Sequence, residues 1–273
     1  MLQDLTAKVG SPLFRAHSVD LGVETIRVPV AEIDGGHPGK TLLVTAGMDG
    51  DEYAGMEAAV KLAEHFQNEA FNGKLIIVPI VNWPGFEAHV SENPLDKKYP
   101  KEIFQGRTRG SATERLIHWL TTTFAIQSDA WHDLHGGAHD EHLNPFLWLF
   151  RTRVPDVDLL TEKLIQATST KTILHERAGL FSKQQKLAKH GCWFVMAESG
   201  ELGTTEDVDV DRHVTWVKET MSVLDMLPNL NVPAGTYRPM NIFTRVKQKT
   251  RLHPGDESRL LWWKDGGPYF VSL

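Results

Sequence analysis

Three short segments of this 273-residue chain concentrate side chains able to hold a metal ion or move a proton. AGMDGDEYAG, at 46–55, sets Asp49, Asp51 and Glu52 among glycines that let the backbone turn tightly and approach closely. These carboxylates are either ligands or favourable charges at the positive end of a following helix. WHDLHGGAHDEH, at 131–142, carries His132, His135, His139 and His142, four histidines in eleven residues. Imidazole is the commonest metal-ligating side chain. FVMAESGELG, at 194–203, ends an apolar run on Glu198. A carboxylate leaving a core strand costs stability unless partnered, so Glu198 is either functional or half of a buried ion pair.

The elements around these segments follow from periodicity and turn chemistry. Residues 23–33 mix alternation with β-branched side chains and predict a strand, followed by turn chemistry at 34–39. The continuous apolar runs 41–46 and 74–81 predict strands buried on both faces, as in a parallel sheet. Helical spacing over 53–66 lies between them, with a turn expected at Asn72-Gly73, so this stretch reads as a βαβ unit. Residues 82–110 read as a long loop with Pro84, Pro94 and Pro100, unusual in a compact domain unless functional. Ser111 and Glu114 form a capping box that starts a helix. Further strands are expected at 129–134, 146–151 and 192–198, and helices at 155–168 and 210–227. Asp49/Glu52, His135 and Glu198 each follow a predicted buried strand, and open α/β sheets bind ligands beyond the carboxyl ends of their strands. The three segments are therefore expected to converge on one crevice.

Composition excludes several function classes. Apolar residues make up 41% and charged residues 23%, ordinary for a globular protein. The net charge is −6, and no basic stripe suggests nucleic acid; Lys97, Lys98 and Lys101 read as a solvated loop. The single cysteine, Cys192, lies in an apolar run and reads as a buried, inert thiol. Trp131, Trp148 and Trp193 read as core packing rather than pocket lining. The N-terminal residues show no charged start followed by an apolar stretch, and no run approaches the roughly 18 apolar residues of a membrane span. The expectation is a cytoplasmic protein with no membrane partner.

The ordered motifs resemble the succinylglutamate desuccinylase/aspartoacylase family, related to the zinc carboxypeptidases. That family's pattern A-G-x-H-G-D/N-E-x-x-G is matched by AGMDGDEYAG except at one position. Its later D-L-H is matched by Asp133-Leu134-His135, and its E-x-G element by Glu198-Ser199-Gly200. Its P-x-D and G-S-x-x-E-R elements correspond to Pro94-Leu95-Asp96 and Gly110-Ser111-Ala112-Thr113-Glu114-Arg115. The match runs over about residues 20–205. The resemblance implies an α/β fold with a mixed, largely parallel central sheet flanked by helices. It implies a catalytic domain over 1–232, with 233–273 forming a small β-rich appendage or the sheet's edge. It also implies one divalent metal, zinc first, held by Asp49, Glu52 and His135, with Glu198 as general base to an attacking water. The reaction implied is hydrolysis of the amide bond of a small N-acylated amino-acid-like substrate.

Two departures from the pattern bear on chemistry. Asp49 stands where the family has its first ligand histidine. A carboxylate oxygen can bind zinc at about 2.0–2.2 Å, or His132 or His139 can be recruited in its place. Two carboxylates and one neutral imidazole would cancel the ion's charge and make a bound water less acidic. More oxygen ligation also relaxes selectivity toward metals such as manganese. In the family's L-N-R-x-F-P-G loop, the substrate-contacting arginine is replaced here by Glu102. Arg107 and Arg109 are the candidate compensating substrate contacts, and N-succinylglutamate and N-acetylaspartate are expected not to be natural substrates. The alternatives are a catalytically degenerate relative acting as a binding module, and a metallocarboxypeptidase acting on peptides.

Overall fold

The computed structural model describes residues 2–228 and, beyond them, five short strands between 241 and 272. The chain opens with helix α1 (Leu2–Val9) and strands β1 (Arg15–Asp20), β2 (Thr25–Asp34) and β3 (Gly36–Ala46). Helix α2 (Tyr53–Phe66), strand β4 (Phe71–Val78), and helices α3 (Trp83–Ala88) and α4 (Ala112–Thr123) follow. Then come β5 (Ala130–His135), β6 (Glu141–Leu143), β7 (Phe146–Arg151), α5 (Pro155–Ala167) and β8 (Thr172–Arg177). The described globule ends with α6 (Lys183–Lys189), β9 (Trp193–Glu198) and α7 (Asp207–Val223). Of the later strands, β10 (Asn241–Phe243) pairs with β8 and β12 (Trp262–Lys264) pairs with β6.

Nine strands form one sheet in the order β1-β2-β4-β3-β5-β9-β7-β8-β10. The pairings of β3 with β4 and β5, β5 with β9, and β8 with β7 and β10 are parallel. Those of β1 with β2, β2 with β4 and β7 with β9 are antiparallel. The mixed, largely parallel sheet expected from sequence is thus the observed one. Its core strands bury both faces. On β3, Leu42 and Val44 join a cluster with α2, α5 and α7, while Leu43 joins Leu116, Ile117 and Leu120 of α4 on the other side. Alternation along the buried part of β3 therefore assigns its side chains to two helical layers.

Most predicted elements are present, and α2 has the predicted bounds. Three expectations are corrected. The turn expected at 34–39 narrows to Gly35, since β3 already runs from Gly36. Asn72-Gly73 lies inside β4, not in a turn. Gly35 alone separates β2 from β3, and its N–H donates to the Gly73 carbonyl at 2.9 Å. The loop 82–110 contains α3, whose N-terminus is capped by the Asn82 side chain, and a short 3-10 turn at Pro100–Glu102. Helices α1 and α6 and strands β1, β6 and β8 were not expected from sequence. The rest of the expectation for 233–273 lies outside the described residues. Among the described residues, no helix is long and apolar enough to cross a membrane.

His132 of β5 points to the α7 side of the sheet, where it shares a 3.0 Å hydrogen bond with Thr220. His213 of α7 donates to the Ser199 carbonyl at 3.0 Å. Burial pushes these imidazoles down, to about 3 for His132 and about 4 for His213. Such groups stay neutral in the fold but take up protons when unfolded. Their contribution is complete above the unfolded value, near 6.5, and is lost as pH falls. The stability deficit of His132→Gln at pH 7.5 should therefore shrink by about 2 kcal/mol at pH 5, at about 1.4 kcal/mol per pH unit. Urea unfolding of both proteins checks this, and a pH-independent deficit would contradict it.

Candidate functional site

Strands β3, β5 and β9 are neighbours and all parallel, so their carboxyl ends lie along one edge. Ala46 pairs with Leu134, and His135 with Glu198. The loop after β3 reaches the same place because its glycines allow it. Gly47 takes φ +64°, and a Cβ on Gly50 would stand 2.1 Å from the backbone of Gly85 in α3. The chain can thus turn against α3 and aim Asp49 and Glu52 at the end of β5.

Ligand atoms of Asp49, Glu52 and His135 lie within 4.8 Å of one another, all on buried residues. Among the described residues no other group of histidines, cysteines and carboxylates meets in this way. His135 Nδ1 is 2.9 Å from Glu52 Oε2 and 4.0 Å from Asp49 Oδ2. Its Nε2 is 3.3 Å from Asp133 Oδ2 on the same strand. A carboxylate on one ring nitrogen orients the imidazole and leaves the other nitrogen for an ion, the usual arrangement around metal-binding histidines. Glu52 begins α2, yet its carboxylate makes no cap bond to the helix. It accepts from the Gly136 N–H at 3.2 Å, so it serves the crevice and not the helix end.

The remaining histidines and carboxylates of the three segments are engaged elsewhere. Asp51 accepts from Ser91 at 2.8 Å. His139 lies 3.5 Å from the Tyr53 hydroxyl, and His142 contacts Glu201 at 3.1 Å. Neither His132 nor His139 joins Asp49, Glu52 and His135. Trp131 and Trp193 are core residues, with Nε1–H groups donating to Thr45 and Thr161 at 2.6 and 3.0 Å. Cys192 is fully buried, and burial raises its thiol.

Two lysines complete the site, and neither stood out in the sequence. Lys101, from the 3-10 turn, places its ammonium on Asp49 Oδ2. The Arg107 guanidinium pairs with Glu114, and Arg109 is exposed. Lys183 of α6 lies 3.7 Å from Asp133 and over the rings of Trp131 and Phe194, at 4.9 and 4.4 Å. A signal for Lys101 existed in its position inside the family's substrate loop. Lys183 lies outside every motif.

The electrostatics report a shortage of positive charge. Asp49, Glu52, Asp133 and Glu198 face Lys101 and Lys183, four carboxylates to two ammonium groups. Burial and then the Glu52 charge push Asp49 up to about 7, against Lys101 and His135. Burial and Glu52 likewise raise Glu198 well above the carboxylate range. Burial would keep His135 neutral, but Asp133 and Glu52 hold it charged well above the usual imidazole range. Asp49 Oδ1 is buried and has no hydrogen-bond partner. With His135 neutral, a divalent cation would balance the four carboxylates and two ammonium groups. The donor set, two carboxylates and one imidazole, is one that zinc accepts. These residues fit a metal.

The fold is an α/β domain whose crevice gathers three potential metal ligands at the carboxyl ends of its parallel strands. Residues 38–224 match the succinylglutamate desuccinylase/aspartoacylase catalytic domain, and the chain belongs to that family of N-acyl amino acid deacylases. It is 35% identical over 121 residues to N-alpha-acetyl-L-2,4-diaminobutyric acid deacetylase of Halomonas elongata, a stretch covering 44% of this chain and 35% of that relative. The match therefore spans about a third of the curated relative's length. A succinylglutamate desuccinylase/aspartoacylase structure from Rhodobacter sphaeroides superposes with a TM-score of 0.74 at 18% identity, over 95% of this chain and 86% of that one. The product-bound ectoine utilization protein EutE (DoeB) from Ruegeria pomeroyi gives 0.71 at 21%, over 95% and 84%.

Asp133 accepts from Thr45 at 2.5 Å and faces His135 and Lys183. Burial would raise it, yet these partners hold it below the usual carboxylate range. Asp133→Ala leaves Lys183 without its counter-ion in a buried setting and should lower unfolding free energy by about 3–5 kcal/mol. Urea denaturation measures this, and a loss under about 1 kcal/mol would contradict the reading.

Proposed function

We propose that the chain is a metal-dependent hydrolase that removes the acyl group from a small N-acylated amino acid. Asp49, Glu52 and His135 hold one divalent ion, zinc first, and Glu198 is the general base. The observation that carries the reading is the meeting of the three ligand atoms within 4.8 Å, with Glu198 paired beside His135 across β5 and β9. An ion bound there would supply Lewis-acid polarisation of the scissile carbonyl and lower the pKa of an attacking water.

The chain's own residues do the rest. Asp133 fixes the plane of the His135 ring through Nε2 and leaves Nδ1 facing Glu52 and Asp49. Glu198 takes a proton from the attacking water and hands it to the leaving amine. Its burial favours the protonated form, which suits the second half of that task. Lys183, mostly buried beside Asp133 and pulled below the usual lysine range by that burial, joins His135 in keeping the carboxylate ionised. Glu102, exposed beside Lys101, puts a negative charge where the family pattern carries arginine. It disfavours a second carboxylate on the substrate and favours amino acids with neutral or basic side chains. The named substrate of the Halomonas elongata relative, with its second amine, agrees with that preference.

A metal-free binding protein is the second reading, and the Lys101 ammonium on Asp49 is the observation that favours it. Deacylation assays with metal analysis separate the two. The wild type should carry one equivalent of metal, and His135→Ala should lose it. Glu198→Gln should keep the metal and lose about 10²–10⁴-fold in kcat. N-acetyl-2,4-diaminobutyrate should turn over faster than N-acetylaspartate or N-succinylglutamate. An active Glu198→Gln, or no metal in either protein, would overturn the reading.

A further inference from the structure

Asp49 brings a negative charge to a position where the family pattern has a neutral imidazole. Left alone, that charge would cancel the surplus positive charge that a divalent ion keeps beside one carboxylate and two imidazoles. The structure brings a compensating charge with it. The Lys101 ammonium rests on Asp49 Oδ2, while Asp49 Oδ1 is buried without a partner. The oxygen the lysine holds, Oδ2, is also the one 4.0 Å from His135 Nδ1, so the ammonium sits directly on the carboxylate edge that faces the other ligands, and Oδ1 stays without a hydrogen bond.

Lys101 is held in that place by the turn that carries it. Pro100, buried, starts the 3-10 turn, and the ammonium also stands 5.7 Å from the centre of the Tyr99 ring. The segment before the turn is tied down by the Asn93–Lys98 bridge and by Asp96, which accepts from both the backbone and the hydroxyl of Thr113 at the start of α4. Its neighbours Lys97 and Lys98 pair instead with Glu92 and Glu114 near the surface, at 3.2 and 3.7 Å. Of three lysines in five residues, one is directed at a buried carboxylate of the site.

We propose that Lys101 is the built-in counter-charge of Asp49, the two together presenting an oxygen donor of zero net charge to the metal. The pair replaces a histidine in charge but not in donor atom. The inference rests on the metal-hydrolase reading above. It makes Lys101 a positioning residue that acts through Asp49 and opposes the ion's charge without touching the ion. Removing it should make the ion bind more tightly and work less well, a pair of opposite effects that a purely structural role would not produce.

The test is zinc titration of metal-free protein by chelator competition at pH 7.5. Variants are Lys101→Met, Lys101→Arg, Asp49→Asn and the Asp49→Asn/Lys101→Met double variant, with deacylase kcat measured alongside. Lys101→Met should bind zinc about tenfold or more tightly, the order expected for one unit charge a few ångströms from a divalent ion. Its kcat should fall by about tenfold, and Lys101→Arg should stay within about threefold of wild type in affinity. If Lys101→Met does not fold, the other pair decides: Asp49→Asn should bind at least about tenfold more weakly, and adding Lys101→Met should recover much of the loss. Unchanged or weaker zinc binding by folded Lys101→Met overturns the proposal, as does a double variant no better than Asp49→Asn. A wild type that takes up no zinc overturns the hydrolase reading itself. One that binds zinc and loses it in His135→Ala, while Lys101→Met titrates like wild type, overturns the counter-charge alone.

Discussion

A carboxylate removed from water must be matched by positive charge or it takes up a proton, and four of them share one crevice in this protein. Asp49, Glu52, Asp133 and Glu198 are brought there by the ends of three adjacent parallel strands and the loop after the first. Lys101 and Lys183 answer two of those charges, and His135 stands between Glu52 and Asp133 as the adjustable member. The upward shifts of Asp49 and Glu198, driven first by burial and then by Glu52, and of His135 all express the same deficit of positive charge. A divalent ion among Asp49, Glu52 and His135 is the simplest remedy.

The fold exists to make that concentration of charge tolerable. Large apolar side chains cover both faces of β3, β5 and β9, and the carboxylates and imidazole of the crevice gather where those strands end. Asp133 is the exception, fully buried one turn of the pleat before His135, and it is matched by Thr45, His135 and Lys183 together. The layer on the α7 side carries a different polar pair, His132 and His213, kept neutral by burial and held by Thr220 and the Ser199 carbonyl.

Much of this was legible in the residues. The apolar runs 41–46 and 192–198 and the strand expected at 129–134 foretold three buried strands whose ends bring Asp49, His135 and Glu198 to one edge. The capping box at Ser111 and Glu114 is present, with the Ser111 N–H donating to Glu114 at 2.9 Å. What escaped depended on contacts distant in sequence. Lys101 looked like one of three solvated lysines, since nothing local says which one a fixed turn will direct inward. Lys183 lies in a short polar helix whose partner, Asp133, is fifty residues earlier in sequence. Arg107, in the same loop, pairs with Glu114 on the first turn of α4. Asn72-Gly73 has turn chemistry, yet Gly73, at φ +90°, is used inside β4 against the tight reversal at Gly35.

The central claim is that one divalent ion belongs among Asp49, Glu52 and His135. Anomalous diffraction at the zinc absorption edge, from crystals grown with zinc, tests it directly. The account requires a single strong peak within ligand distance of Asp49, Glu52 and His135 Nδ1, with Lys101 still in contact with Asp49. A crevice without a peak, with the Lys101 ammonium holding Asp49 and Glu52 alone, would contradict it.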